Sequence, residues 1–342
     1  MIVPIVFLVI SIVGFFFSGL PLDFLINEMV VRLSRNLLLV MSLIIPVITG
    51  MGLNFGIVLG AMAGQIGVIF IVNYGIGGIW GFLIAVLVST PVAIFFGYLV
   101  GKVLNKAKGK EMITSMILGF FANGIYQLVF IVLAGSVIPF KNKDILMSTG
   151  TGLRNTIDLA TIRYSLDRFI FKDIPYPIVT LIVIGLLFLT IYYFLRTKLG
   201  QEMRAVGQSM HIAGVSGIDV DKTRLIAIMI STVLAAWGQL IYIQNMGTLN
   251  TYNNHEQVGL FAVASLLIGG ASVDKASWKE ALFGTFLFHL LFIVSPLAGQ
   301  NIMGNAQIGE YFRVFIAYGV IGLALVLHAW EKDKAATQLS DI

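Results

Sequence analysis

The sequence predicts an all-α polytopic membrane protein of about ten transmembrane helices. Composition is the first reason. Hydrophobic residues make up 58% of the 342-residue chain and charged residues only 11%, whereas a soluble domain carries about 25% charge. No surface built from so few charges covers that much apolar chain in water. The second reason is where the charges are missing. Residues 36–101, 112–140, 174–195, 225–255, 257–273, 281–309 and 314–330 contain no Asp, Glu, Lys or Arg. A charge at the centre of a spanning helix costs roughly 2.5–3.5 kcal/mol, so stretches bare of charge are what hydrocarbon demands. The same composition excludes a disordered chain. The absence of cysteine excludes disulfide frameworks, thiolate metal sites and cysteine nucleophiles.

About 20 residues cross the hydrocarbon as a helix. The first span is predicted at 2–20. It has no basic n-region and no small-residue cleavage site, so it reads as an uncleaved helix rather than a signal peptide. Three spans fit into 36–101, near 37–51, 53–73 and 79–101. The others are predicted at 112–138, 175–195, 225–244, 258–272 (a short one), 280–298 and 312–330. The whole of 1–342 is then one transmembrane domain. It carries two long polar loops, 139–174 and 196–224, and a tail at 331–342.

Basic residues set orientation. Lys102, Lys106, Lys108 and Lys110 follow the fourth span. Arg196, Lys198, Arg204, Lys222 and Arg224 lie between the sixth and seventh. Lys275 and Lys279 precede the ninth, and Lys332 and Lys334 follow the tenth. Ten spans put all of these on one side, the cytoplasmic one, together with both termini. The 139–174 loop is then extracytoplasmic. Arg32 and Arg35 fall in an outer first loop, against the rule.

Polar groups within the spans carry the functional reading. In GMGLNFGIVLGAMAGQ, residues 50–65, Gly52, Gly56, Gly60 and Gly64 recur every four residues. That spacing predicts a helix-packing ridge that lets another backbone come close. The amides Asn54, Gln65, Asn123, Gln127, Gln239, Gln244 and Asn245 are costly at membrane depth unless partnered or lining a wet path. Asn123 and Gln127 share one helix face. Each amide alone could be an interhelical bond; their number favours a translocation path for a neutral, hydroxyl-rich solute. No span has a charged residue at its centre, which argues against proton or sodium coupling. His289 and His328 read as packing residues, and His211 and His255 as loop residues. The His255-Glu256 pair has no second His at zinc-protease spacing, and no P-loop motif is present. No metal site, cofactor, nucleic-acid surface or catalytic constellation is predicted.

The 196–224 loop reads RTKLGQEMRAVGQSMHIAGVSGIDVDKTR. Gln201 to Ile212 predicts a helix ended by Gly214 and Gly217. With the small residues Ala205, Gly207 and Ala213, it suits either an ordinary surface helix or one that docks in a groove of another protein.

The run Gly200, Arg204-Ala205-Val206-Gly207-Gln208-Ser209, Ile212-Ala213, Gly217-Ile218 resembles the cytoplasmic loop of ABC-importer permeases. The branch in question imports simple sugars, autoinducer sugars, nucleosides and branched-chain amino acids. Its members carry G-x-x-x-R-A-x-G-x-[NS]-x-x-A-A-x-x-x-G-I; Ile212 replaces the first alanine of the pair. LLIGGAS at 266–272 and the glycine-rich 50–65 run are similar to further segments of the branch, so the resemblance covers roughly 36–330. It implies a type II-like importer permease, paired with a second copy or a paralogue in a bacterial-type cytoplasmic membrane. It also implies ATPase subunits on the cytoplasmic face and a solute-binding protein outside. Gly200, Glu202, Arg204, Ala205, Gly207, Ala213 and Gly217 would then belong to the coupling helix seated on the ATPase. ATP hydrolysis would occur on that other chain. Gly269-Gly270-Ala271-Ser272 places a simple sugar ahead of a nucleoside, and a branched-chain amino acid third. A stand-alone secondary carrier or uniporter shares the hydropathy. A membrane-embedded enzyme or scaffold would have to use Arg154, Asp158, Arg163, Asp167 and Arg168, which read more simply as an exposed helix with ion pairs.

Overall fold

The computed structural model describes residues 2–168 and 176–340. In chain order the helices begin with α1 (Ile2–Ser18), α2 (Leu22–Ser42), α3 (Ile44–Ile48), α4 (Ile57–Asn73), α5 (Gly78–Lys106) and α6 (Glu111–Gln127). A π-helical turn, Leu128–Leu133, extends α6. There follow α7 (Ser165–Arg168), α8 (Ile178–Phe194), α9 (Lys198–Gln208), α10 (Met210–Val215), α11 (Val220–Met246), α12 (Asn254–Ile268), α13 (Trp278–Met303) and α14 (Ala306–Ser340). The two strands, β1 (Thr156–Asp158) and β2 (Thr248–Asn250), pair antiparallel with Ile157 opposite Leu249. Among the described residues, five helices are long and apolar enough to cross a membrane: Leu22–Ile48, Gly78–Lys106, Glu111–Leu133, Val220–Met246 and Trp278–Met303. A sixth span arises if α8 and α9, bent by 71°, count as one. The protein is an all-α polytopic membrane protein.

Four of the differences from expectation have a clear local reason. Residues 22–42 are helix, so Arg32 and Arg35 are not in a loop. Arg32 bonds Glu28 one turn back at 3.3 Å. Arg35 donates to Met246 Sδ at 2.8 Å and lies over the Tyr242 ring. Charges with such partners are compatible with a helix that composition alone breaks. The second difference is at 53–73, where the helix starts only at Ile57. Gly50 and Gly52 have φ of +74° and +68°, and Asn54 Oδ1 accepts from Gly56 N at 2.9 Å, closing a turn. Gly52 and Gly56 therefore precede the helix, and the ridge is Gly60 and Gly64 alone. Third, the charged part of 139–174 holds β1 and the single turn α7 rather than an exposed helix; residues 169–175 lie outside the described residues, as do 341–342 of the tail. Fourth, the helix expected at 201–212 is two, broken at Ser209, whose Oγ caps the second by accepting from Ile212 N at 3.3 Å.

The chain forms two compact units, Ser34–Leu260 and Met1–Leu33 with Phe261–Ile342. In the first, α4 and α5 pack on α11 through residues too small to hold helices apart. A Cβ on Gly64 would lie 2.7 Å from Ala236 O, and one on Gly60 2.6 Å from Thr232 O. Ala63, Ala93 and Ala236 are fully buried in the same layer. Without a hydrophobic force between helices in lipid, this close approach supplies the packing energy. One end of α5 meets the 139–174 segment, where Gly78 N donates to Thr161 O at 2.8 Å. The other meets the start of α11, where Asn105 Nδ2 donates to Asp221 O at 2.7 Å. Its 29 residues span about 43 Å at 1.5 Å each, so the two polar segments sit at opposite ends of this unit.

The second unit packs α1 and α14 on α13, with Leu25, Met29, Leu290, Ile293 and Val294 at its core. Gly269 meets Gly284, and Gly299 meets Gly309, backbone to backbone. Gly270 ends α12 with φ of +96°. The two glycines of the LLIGGAS run thus have a packing and a turn role.

Overpacking a helix contact costs about 1–3 kcal/mol. Gly64→Val should therefore lower the thermal midpoint of the detergent-purified protein by several degrees. Gly185→Val, at a position where a Cβ meets nothing within 4 Å, should leave it unchanged.

Candidate functional site

Four elements of the Ser34–Leu260 unit bring polar side chains together between apolar helices. Gln65, fully buried on α4, accepts from Tyr126 OH of α6 at 2.8 Å. The same oxygen faces His255 Nδ1 at 3.0 Å. The other imidazole nitrogen, Nε2, faces Asn123 Oδ1 at 2.9 Å. Asn123 in turn donates from Nδ2 to Glu256 and receives Gln127 Nε2 at 3.4 Å. Gln239 of α11 joins through a bond to Asn254. The Tyr126 and His255 rings pack 4.9 Å apart. Both imidazole nitrogens face amide oxygens, and a neutral ring donates to only one of them. Each amide offers both a donor and an acceptor, chemistry suited to hydroxyl groups. Beside it, Glu256 borders a small hollow of about 60 Å³ with Phe55, Val58, Met116 and Gly259. That is room for a few waters.

The cluster unites four of the seven amides singled out in the sequence: Gln65, Asn123, Gln127 and, through Asn254, Gln239. Asn54 instead shapes the turn before α4. Gln244 bonds Thr180 Oγ1 at 3.3 Å, beside the start of α8, which Asp167 caps by accepting from Thr180 N at 3.0 Å. Asn245 is buried with no partner on either amide atom. Asn54 Nδ2, Gln239 Oε1 and Gln244 Oε1 also lack partners. Tyr126, His255 and Glu256 belong to the cluster but were not among its expected members. The signal that could have found them is their spacing: Tyr126 follows Asn123 by three residues, one helical turn.

At the opposite end of this unit the chain turns sharply into α9. Thr197 caps that helix, accepting from Gly200 N at 3.4 Å. A Cβ on Gly200 would strike Leu195 Cα at 2.5 Å, so the turn needs glycine there. Gly207 sits against the Ile48 carbonyl and Gly50 in backbone contact. Met203, Val206 and Ala213 are buried, whereas Arg204 is exposed. Glu202 pairs with Lys198 at 3.8 Å, Ala205 is half-buried, and Gly217 turns the chain with φ of +85°. Gly200, Gly207, Ala213 and Gly217 thus shape and seat the α9–α10 pair. The outward surface is Arg204, His211, Ile212 and Val215, with Ile212 66% and Val215 79% exposed. The apolar pair had no expected role; Ile212 stood out only as a departure from the family pattern.

A family model described as branched-chain amino acid transport system / permease component matches residues 2–326. The chain belongs to that permease family. Three relatives similar to this permease are named for sugars. The xylose transport system permease protein of Haemophilus influenzae is 29% identical over 164 residues, 48% of this chain and 41% of the relative. The xylose/arabinose import permease protein of Sulfolobus acidocaldarius is 27% identical over 262 residues, 76% of this chain and 64% of the relative. The ribose import permease protein of Escherichia coli is 23% identical over 254 residues, 73% of each. The matched stretches thus span 41% and 64% of the first two relatives' lengths. No solved structure matches this permease.

Leaving a buried donor unsatisfied costs about 1–3 kcal/mol. Gln65→Leu removes the acceptor that Tyr126 and His255 share, and should destabilise the purified permease by that amount in thermal or denaturant unfolding. Gln127→Leu, half-buried and held by one long bond, should cost clearly less.

Proposed function

We propose that the chain is the membrane-spanning subunit of an ATP-binding cassette importer for a simple sugar. The observation that carries this is a permease-family chain whose charged end presents an exposed Arg204, Ile212 and Val215 on rigidly seated helices. Arginine is among the residues that dominate protein–protein contacts, and the exposed Ile212 and Val215 beside it offer apolar surface for a partner to cover. ATPase subunits would dock there from the cytoplasm, where the termini also lie. A second copy or a paralogue completes the path.

The sugar assignment rests on the relatives named for xylose, arabinose and ribose. These are neutral polyols, and a path for them needs donors and acceptors; Glu256 adds a carboxylate to the cluster, bonded to Asn123. Gln65, Asn123, Tyr126, His255 and Gln239 supply that set. Energy supplied by an outside ATPase fits the spans Gly78–Lys106, Glu111–Leu133, Val220–Met246 and Trp278–Met303, whose charges lie only near their ends. Leu22–Ile48 departs from the expectation, with Arg32 and Arg35 inside it held by Glu28, Met246 and Tyr242. Transport then proceeds by alternating access, with ATP and the loaded binding protein favouring different states of the assembled permease.

At the other end, a cavity of about 350 Å³ is lined by Asn142, Asp144, Arg154, Thr156, Asp158 and Thr161. Its size falls within the range of small-molecule sites, about 300–1,000 Å³. In this reading it faces the solute-binding protein and receives the released sugar.

Arg204→Glu and Ile212→Glu should leave membrane insertion intact, lower ATPase co-purification by about tenfold or more, a loss of 1.4 kcal/mol, and abolish uptake. Normal ATPase capture by both variants would remove the docking assignment. Asp144→Lys with Asp158→Lys should reduce binding-protein-dependent uptake while ATPase capture stays at the wild-type level.

A further inference from the structure

Arg224 was counted as one more basic residue of the polar 196–224 segment, yet its side chain is completely buried. Its guanidinium bonds in four directions. Nη2 donates to Glu111 Oε1 at 2.6 Å, at the first turn of α6, and reaches Leu104 O at 3.4 Å, near the end of α5. Nε donates to Asn105 Oδ1 at 3.0 Å, and Nη1 to Met210 Sδ of α10 at 3.1 Å. Asn105 returns a bond to Asp221 O at 2.7 Å, and Lys108 pairs with the Asp221 carboxylate at 2.6 Å. One side chain therefore ties α10 to three helices that run toward the polar cluster.

We infer that Arg224 and Glu111 are positioning residues of the transport cycle, the joint through which displacement of α10 moves α5, α6 and α11 together. This rests on the reading of α9–α10 as the ATPase contact. Stability alone is a poor reason to bury such a pair. Replacing a buried ion pair with apolar side chains of similar volume is often neutral or stabilising, whereas losing one partner is strongly destabilising. The same asymmetry suits a joint: α6 cannot carry Glu111 away without stranding a guanidinium that cannot shed its charge, since arginine stays protonated. Charge-assisted bonds are also directional, so the helix ends do not slide past one another as aliphatic faces do. The link to α10 is the weakest of the set, because a thioether is a poor acceptor. It is the bond by which α10 can be detached without disturbing the rest.

The test uses the full importer, with ATPase and binding protein, in proteoliposomes. Two variants separate coupling from folding. Met210→Leu keeps volume and leaves the ion pair whole. Glu111→Leu with Arg224→Met removes the pair without leaving a lone charge. The readouts are ATPase capture, ATP hydrolysis, and sugar transported per ATP hydrolysed. Both variants are expected to capture ATPase normally and hydrolyse ATP, with sugar per ATP reduced about fivefold or more. A wild-type ratio in either variant that inserts overturns the inference. Should the double variant fail to insert, Met210→Leu decides alone, on the same ratio. Failure of the docking reading shows elsewhere, as normal ATPase capture by Arg204→Glu, so the two failures are not confused.

Discussion

Water is absent at membrane depth, so every polar group placed there must find its partner within the protein. That constraint explains the internal bonding of the Gln65–Tyr126–Asn123–His255 cluster, and burial imposes the same rule on Arg224 with Glu111 at the charged end of the unit. It also explains the glycine and alanine contacts. A backbone carbonyl such as Ala236 O is already bonded inside its helix, and a neighbouring helix can approach it closely only where Gly64 presents no side chain. Polar satisfaction and close packing are thus two expressions of one requirement, and between α4, α6, α11 and the start of α12 both are largely met, with Gln239 Oε1 left without a partner.

In the proposed path the same requirement would also serve a change of state. The polar cluster would exchange internal bonds for bonds to solute hydroxyls, because each amide carries both a donor and an acceptor. The unpartnered atoms of Asn54, Gln239, Gln244 and Asn245 lie at the break before α4 and along the second half of α11. Two rigid contacts lead from the charged end toward them. Gly207 of α9 rests on the Ile48–Gly50 turn, directly before the segment that leads into α4 and Gln65. Arg224 binds α10 to α5, α6 and α11. A push at α9–α10 therefore has two routes to the cluster, one through backbone packing and one through an ion pair.

Much of this was legible in the sequence where the signal is local. Each predicted span overlaps a helix, because the uncharged runs report directly on what lipid accepts. Asn123 and Gln127 shared a face because i and i+4 always do. What escaped notice depends on distant residues. Residues 22–35 carry Asp23, Glu28, Arg32 and Arg35, which reads as a loop until Met246 and Tyr242 are seen beside Arg35. His255 looked like a loop residue, since its partners Gln65 and Asn123 are 190 and 132 positions away. Arg224 and Glu111 are separated by 113 positions, and each alone is an ordinary charge at a helix end. The break at 49–56 was hidden by the regular glycine spacing, which is the same whether a glycine serves a helix face or a left-handed turn.

As proposed, the chain supplies a path but no energy source of its own. The most direct measurement is radiolabelled pentose flux into liposomes, with the chain alone and with the chain plus ATPase subunits, binding protein and ATP. The account predicts no flux above empty liposomes for the chain alone, and accumulation against a gradient only when all components and hydrolysable ATP are present. Saturable flux down a gradient through the chain alone would contradict it, and would make the protein a carrier in its own right.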